Sequence, residues 1–260
     1  MIKYATEQTA ATVRKLWEIC FNETDSYDDI YFKHKYSNEN TLIYFENEQA
    51  VASLQILYYK INYYNNEIQA AYLSGICTLP EFRGNGFASK LISKAEDIIK
   101  SKNITIILLI PGDYKLINYY NNFDYEVICE KDNQIIPLKQ ILDDSNNLQE
   151  AYTKFNLLYD SFYVQKTFPD FVAIVEEFID SNYETKTNQT AMAKILDFKT
   201  FIQVFCTNNP NFKNLNYFDK LKNNPRLLTQ LLFGYKTKTL TNNIAEKFPE
   251  KKFCFNLMLE

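Results

Sequence analysis

One short segment constrains this chain more than any other. Tyr72-Leu73-Ser74-Gly75-Ile76-Cys77-Thr78-Leu79 reads as a strand, and Pro80 ends it. Arg83-Gly84-Asn85-Gly86 follows, and a helix starts at once, with Ala88, Leu91, Ile92, Ala95, Ile98 and Ile99 on one face. The chain has only five glycines, and Gly75, Gly84, Gly86 and Gly112 all fall in this region. A helix start carries N–H groups without intrahelical partners and the positive end of the dipole, so it favours an anion. Glycine lets a phosphate approach the backbone, and Arg83 adds a cation. The competing reading is a turn that needs only positive φ. The spacing is not G-x-G-x-x-G, and no Lys-Ser or Lys-Thr follows Gly86, so neither a dinucleotide fingerprint nor a P-loop is met.

The elements around this segment alternate. Val13, Leu16, Trp17, Cys20 and Phe21 form a helical stripe, and Tyr27, Ile30, Tyr31 and His34 a second, shorter one. Residues 41–45, 50–61 and 68–79 are rich in β-branched and aromatic residues, with turn-like Asn47-Glu48 and Tyr64-Asn65-Asn66 between them, and predict an antiparallel meander. After the glycine-rich turn come a helix to Ser101, a buried strand at 104–110, a short helix at 116–121 and a strand at 125–129. The order β-α-α-β-β-β-α-β-α-β over about 130 residues is an α/β layer architecture. Beyond it, 130–150 is polar and reads in part as a linker. Helices are expected over 148–159, after Pro169, after Asp197 and after Asn224-Pro225, with Gly234 closing the last. Residues 191–196 are a candidate strand.

Composition narrows the function classes. At 260 residues the chain has room for one large or two modest domains. The five cysteines form no C-x-x-C pair, which argues against a disulfide scaffold or zinc ribbon. His34 is the only histidine, so a Ser–His triad or multi-His metal site is nearly excluded, and no metal is expected. A net charge of −4 argues against broad nucleic-acid binding. No apolar run approaches the roughly 20 residues of a membrane span, and the first residues lack a signal pattern. A cytoplasmic protein with neither nucleic-acid nor membrane partners is therefore expected.

The loop and the elements around it resemble the GNAT N-acetyltransferases. Their acetyl-CoA loop reads R/Q-x-x-G-x-G/A, and Arg83-Gly84-Asn85-Gly86-Phe87-Ala88 matches its fixed positions. A later family motif, aromatic-Tyr-x-x-aromatic-Gly-aromatic, is visible as Tyr119-Tyr120-Asn121-Asn122-Phe123-Asp124-Tyr125. There Asp124 replaces the usual Gly, which Asp tolerates in a left-handed conformation. The resemblance implies a mixed, mostly antiparallel sheet flanked by helices over residues 1–130. It implies that the pyrophosphate of acetyl-CoA, a co-substrate, rests on Arg83, Gly84, Asn85, Gly86, Phe87 and Ala88 with Ser89 near. It also implies that the pantetheine arm pairs with Ile76, Cys77 and Thr78, and that Tyr120 protonates the leaving thiolate.

Residues 228–235, Phe248-Pro249-Glu250 and the apolar end further resemble the tail of the Eis-type acetyltransferases. This implies a helical middle region with linker at 131–185 and an abbreviated sterol-carrier-like α+β domain at 186–260. It also implies a catalytic base in the α-carboxylate of Glu260, held by Phe255, Leu257, Met258 and Leu259. The alternative is that these residues fill a sheet edge. Cys77 and His34 are expected to pack, and Glu81 and Asp113 to be surface charges. Two functions stay open: an N-acetyltransferase acting on a small-molecule or lysine-type amine, or a non-catalytic acyl-CoA or lipid carrier. A homo-oligomer is compatible with either.

Overall fold

The computed structural model describes residues 1–21, 25–129, 137–158, 162–181, 190–212, 218, 221 and 223–234. The expected order of the first ten elements is present: β1 (Ile2–Tyr4), α1 (Glu7–Phe21), α2 (Asp25–His34), β2 (Thr41–Glu46), β3 (Gln49–Tyr63), β4 (Asn66–Thr78), α3 (Phe87–Ser101), β5 (Ile106–Leu109), α4 (Ile117–Asn121) and β6 (Glu126–Cys129). The β2–β3 hairpin turns at Asn47-Glu48 with φ of 47° and 68°, and β3–β4 at Tyr64-Asn65 with φ of 51° and 57°. Positive φ at both central residues matches the right-handed twist of the flanking strands and so fixes register. β3 is buried along nearly its whole length because both of its faces are covered. Ala52, Leu54 and Ile56 meet Leu91, Ile92, Ala95 and Ile99 of α3 on one side. Leu57, Tyr59, Ile61 and Tyr63 belong to the core on the other.

The rest of the chain adds α5 (Leu138–Asp143), α6 (Leu148–Asn156), β7 (Phe162–Gln165), α7 (Phe168–Asp180), β8 (Ala191–Ile195), α8 (Phe198–Asn208) and α9 (Pro225–Leu232). The sheet order is β1-β2-β3-β4-β5-β8-β6, with β7 paired to β3. β4 and β5 run parallel, as their connection through α3 requires; the other pairs are antiparallel. β2 pairs with β3 only over 49–55, so the far half of that edge is open to β7 at 60–63.

The described residues do not form the separate C-terminal domain expected over 186–260. β8 lies inside the one sheet, paired to β5 on one edge and β6 on the other. Ala191, Met192 and Ala193 are fully buried. Lys194 of β8 reaches across to Glu96 of α3 at 2.8 Å. Helices α8 and α9 pack Phe201, Phe205, Leu228, Leu231 and Leu232 onto the sheet, and Tyr63 donates its hydroxyl hydrogen bond to the Leu232 carbonyl at 2.8 Å. The 131–185 segment is likewise folded where described. α5, α6 and α7 build a small core around Phe155, Phe171, Ile174 and Phe178 that takes in Ile30 of α2. α7 starts with a capping box, Thr167 with Asp170. The same Asp170 reaches down to the buried Lys35 at 2.5 Å, and Lys35 donates to Tyr59 of β3 at 2.8 Å. Among the described residues, no helix is long and apolar enough to cross a membrane.

Candidate active site

The sheet opens beside β4. Its parallel ladder with β5 stops at Tyr72–Leu108, so residues 73–78 keep β3 on one edge and lose β5 on the other. The register shifts between Ser53 and Gln55, where Gly75 and Ile76 of β4 together face Leu54 of β3 and form a bulge; Gly75 there has φ 57°. Trp17 of α1 lies directly on the Gly75 backbone: an added Cβ would come within 2.0 Å of its ring. Gly75→Ala is therefore expected to lower stability by about 2 kcal/mol, from left-handed strain plus overpacking. Chemical denaturation checks this, and an unchanged midpoint would mean that Trp17 can move aside.

Beneath the bulge lies a buried polar chain. Tyr31 of α2 donates to Gln55 Oε1 at 2.6 Å and shares a hydrogen bond with Ser74 Oγ at 2.6 Å. Gln55 Nε2 donates to Thr41 Oγ1 at 3.0 Å. Tyr31 lies on a stripe visible in the sequence, but the bond to Ser74, 43 positions away, has no local signal.

The strand leads into a 3-10 turn at Pro80–Phe82 and then the glycine-rich loop. Gly84 has φ 83° and Gly86 φ 75°, and Gly86 is the N-cap of α3. A glycine N-cap has no side chain to accept from the first-turn N–H groups, and that turn carries no acidic residue. A Cβ on either glycine would meet nothing within 4 Å, so the loop faces open space. Asn85 donates to the Phe82 carbonyl at 3.0 Å, and Phe87 is buried against Tyr44 at 4.4 Å, which fixes the helix start. Arg83 is exposed and donates through Nε to the Thr78 carbonyl at 3.1 Å. One turn into α3, Lys90 sits over the Tyr44 ring at 5.3 Å, a second cation that the motif does not name.

The opposite wall is α4. Tyr119 is half-buried and its hydroxyl shares a 3.1 Å hydrogen bond with Ser89 Oγ, tying α4 to the first turn of α3. Tyr120 beside it is buried, edge-on to Tyr119 at 5.3 Å. Burial, and then the neighbouring Tyr119, push its phenol above the ordinary tyrosine value, so it stays protonated at neutral pH. Asp124 has φ 63°, the left-handed conformation its place in the motif requires.

The other sequence candidates sit elsewhere. Cys77 is buried, 3.2 Å from Ser53 Oγ. His34 pairs with Glu176 of α7 at 2.9 Å, away from the loop. Glu81 is exposed, and Asp113 accepts from the Lys115 N–H at 2.9 Å. Glu260 and residues 255–259 lie outside the described residues. Among the described residues, no group of three or more His, Cys, Asp and Glu side chains could hold a metal ion.

The sheet thus opens beside its fourth strand, and a glycine-capped helix leaves that strand. Residues 1–128 match the family model described as an acetyltransferase (GNAT) domain. Eis1 from Mycobacterium abscessus shares the fold, with a TM-score of 0.55 at 10% identity over 76% of this chain and 52% of that one. A GCN5-related N-acetyltransferase from Anabaena variabilis superposes with a TM-score of 0.50 at 20% identity, over 67% of this chain and 47% of that one. The chain thus spans about half the length of these structures. No curated protein matches it in sequence.

Proposed function

We propose that the protein is an acetyl-CoA-dependent N-acyltransferase that acts on a primary amine by direct attack on the thioester. The carrying observation is the start of α3 at Gly86, which has no side-chain cap and opens onto the free edge of β4. In this reading the N–H groups of residues 84–88 hold the pyrophosphate, with Ser89 and the cations Arg83 and Lys90 around it. The pantetheine arm runs along Ile76, Cys77 and Thr78. The amine loses a proton before attack, the tetrahedral oxyanion collapses, and the buried phenol of Tyr120 protonates the departing thiolate. The thiolate is desolvated in the same place, so its basicity rises together with the phenol's pKa. A carboxylate at Glu260 is the proposed proton acceptor for the amine, and deletion of residues 258–260 tests it: unchanged turnover would rule it out.

Acetyl-CoA offered with a panel of cationic amines, with release of free thiol followed, tests the reaction. Acetyl-CoA binding without thiol release from any amine would favour the carrier function instead. The cofactor site has its own test in Gly86→Val. That side chain strains a left-handed position and projects into the open space where the phosphates would lie. Calorimetry is expected to show acetyl-CoA affinity reduced about 10-fold, roughly 1.4 kcal/mol. Full affinity in a folded variant would remove the phosphate assignment.

A further inference from the structure

Helix α4 meets the start of α3 through a pair of hydroxyls. Ser89 is the third residue of α3, three positions after the Gly86 cap, and its Oγ lies 3.1 Å from the Tyr119 hydroxyl. Both residues are half-buried, and among the described residues neither hydroxyl has another hydrogen-bond partner. Each hydroxyl carries one hydrogen and two lone pairs. One hydrogen lies between them, and either oxygen can supply it. The pair therefore keeps one O–H that is not committed. If Tyr119 donates, that hydrogen sits on Ser89, beside the N–H groups of the first turn of α3. An anion at that turn selects this arrangement: Ser89 donates to the anion and accepts from Tyr119. A hydroxyl that donates to an anion becomes a better acceptor, because chained hydrogen bonds polarise one another. The bond between the two helices is then strongest when the phosphate site is filled.

We propose that Tyr119 is a positioning residue: through Ser89 it couples a phosphate at the start of α3 to the setting of Tyr120 on α4. The inference rests on the reading that acetyl-CoA phosphates lie at Gly86 and that Tyr120 is the acid. Tyr120 follows Tyr119 in the chain, and the two rings stand edge-on at 5.3 Å; Tyr119 also meets Phe123 at 5.2 Å. Helix α4 has five residues, too few to hold its place by its own hydrogen bonds. Its placement depends on what it packs against. Tyr120 and Tyr125 enter the core shared with α3, and Tyr119 bonds the helix to the α3 start. A bond that tightens on cofactor binding therefore sets the Tyr120 phenol when a thioester is there to be served. The sequence motif marks Tyr119 as an aromatic position; its hydroxyl is what the coupling uses.

Hydrogen exchange of the full chain, with and without CoA, tests this. Amides of residues 117–123 are expected to exchange about fivefold more slowly when CoA is bound, the scale of one net hydrogen bond. Tyr119→Phe removes one oxygen and leaves the ring in place. In that variant the CoA-dependent slowing is expected to disappear, and CoA affinity by calorimetry to fall by a similar factor of about five, since coupling between two sites is reciprocal. Turnover gives a second readout. Tyr119→Phe is expected to lower kcat about fivefold, with no further loss when Tyr120 is already Phe, because a residue acting through another has no effect once that other is gone. A loss by the same factor in both backgrounds would mark a packing role and overturn the proposal. Equal exchange with and without CoA, or the same slowing in Tyr119→Phe, overturns it while CoA binding stands. A chain that binds no CoA overturns the phosphate reading itself, and the coupling with it.

Discussion

Asp170→Asn is expected to lower the melting temperature by about 10 °C, the largest stability effect among these substitutions. Asp170 and Lys35 are both nearly inaccessible, at 7% and 8% exposure, and meet at 2.5 Å. The second buried cation, Lys166, lies over the same Tyr59 ring at 5.1 Å. Removing the carboxylate charge leaves buried ammonium groups uncompensated, which costs about 3–5 kcal/mol. At a few degrees per kcal/mol for a chain of this size, that gives the expected shift. The substitution also removes half of the α7 capping box. Lys35→Met combined with Asp170→Asn should recover part of the loss, because it removes one of the stranded charges. A melting temperature unchanged in Asp170→Asn would mean that water reaches the pair. The pH dependence has a definite sign. Burial raises the Asp170 carboxyl, but Lys35, Lys166 and Thr167 outweigh it and hold it at about 2. A depressed carboxyl contributes stability that is complete above its unfolded value near 4 and is lost as pH falls from about 4 to about 2. Acid unfolding of Asp170→Asn should lack that component.

Tyr120→Phe is expected to reduce kcat by about 100-fold, with little change in acetyl-CoA affinity, the lower range for loss of a general acid. The phenol is buried and kept protonated by that burial, and its neighbour Tyr119 is bonded to the helix start where the phosphates would lie. Removing one oxygen leaves this packing intact, so an effect confined to kcat separates proton donation from structure. Full turnover in Tyr120→Phe would assign the proton to water or another group. Loss of acetyl-CoA binding together with kcat would make the hydroxyl part of the cofactor site instead.

The first half of the chain is legible because its information is local. The β3–β4 boundary at Tyr64-Asn65, the glycine cap at Gly86 and the left-handed Asp124 are each set by a few adjacent residues. Helix caps at Asp197 and Asn224 and the closure at Gly234 are legible for the same reason. What the sequence could not fix is where residues 191–195 go. An apolar five-residue strand specifies that it must be buried, not which edges bury it. Read alone it fits a small separate domain; in the fold it fills the gap between β5 and β6, more than 60 residues from either in sequence. Phe162–Gln165 has the same ambiguity, settled by the half-edge of β3 that β2 leaves open. The polar contacts that complete the candidate site are long-range in the same way. Tyr31 with Ser74 and Tyr119 with Ser89 join residues 43 and 30 positions apart, and elsewhere in the fold Lys35 with Asp170 joins residues 135 apart. The sequence by itself determined the local elements and the glycine-rich loop, because turn and cap preferences act within a few residues. The tertiary structure alone decided the strand order and the buried partners of polar side chains, because a buried polar group takes whatever donor or acceptor the packed sheet and helices bring to it.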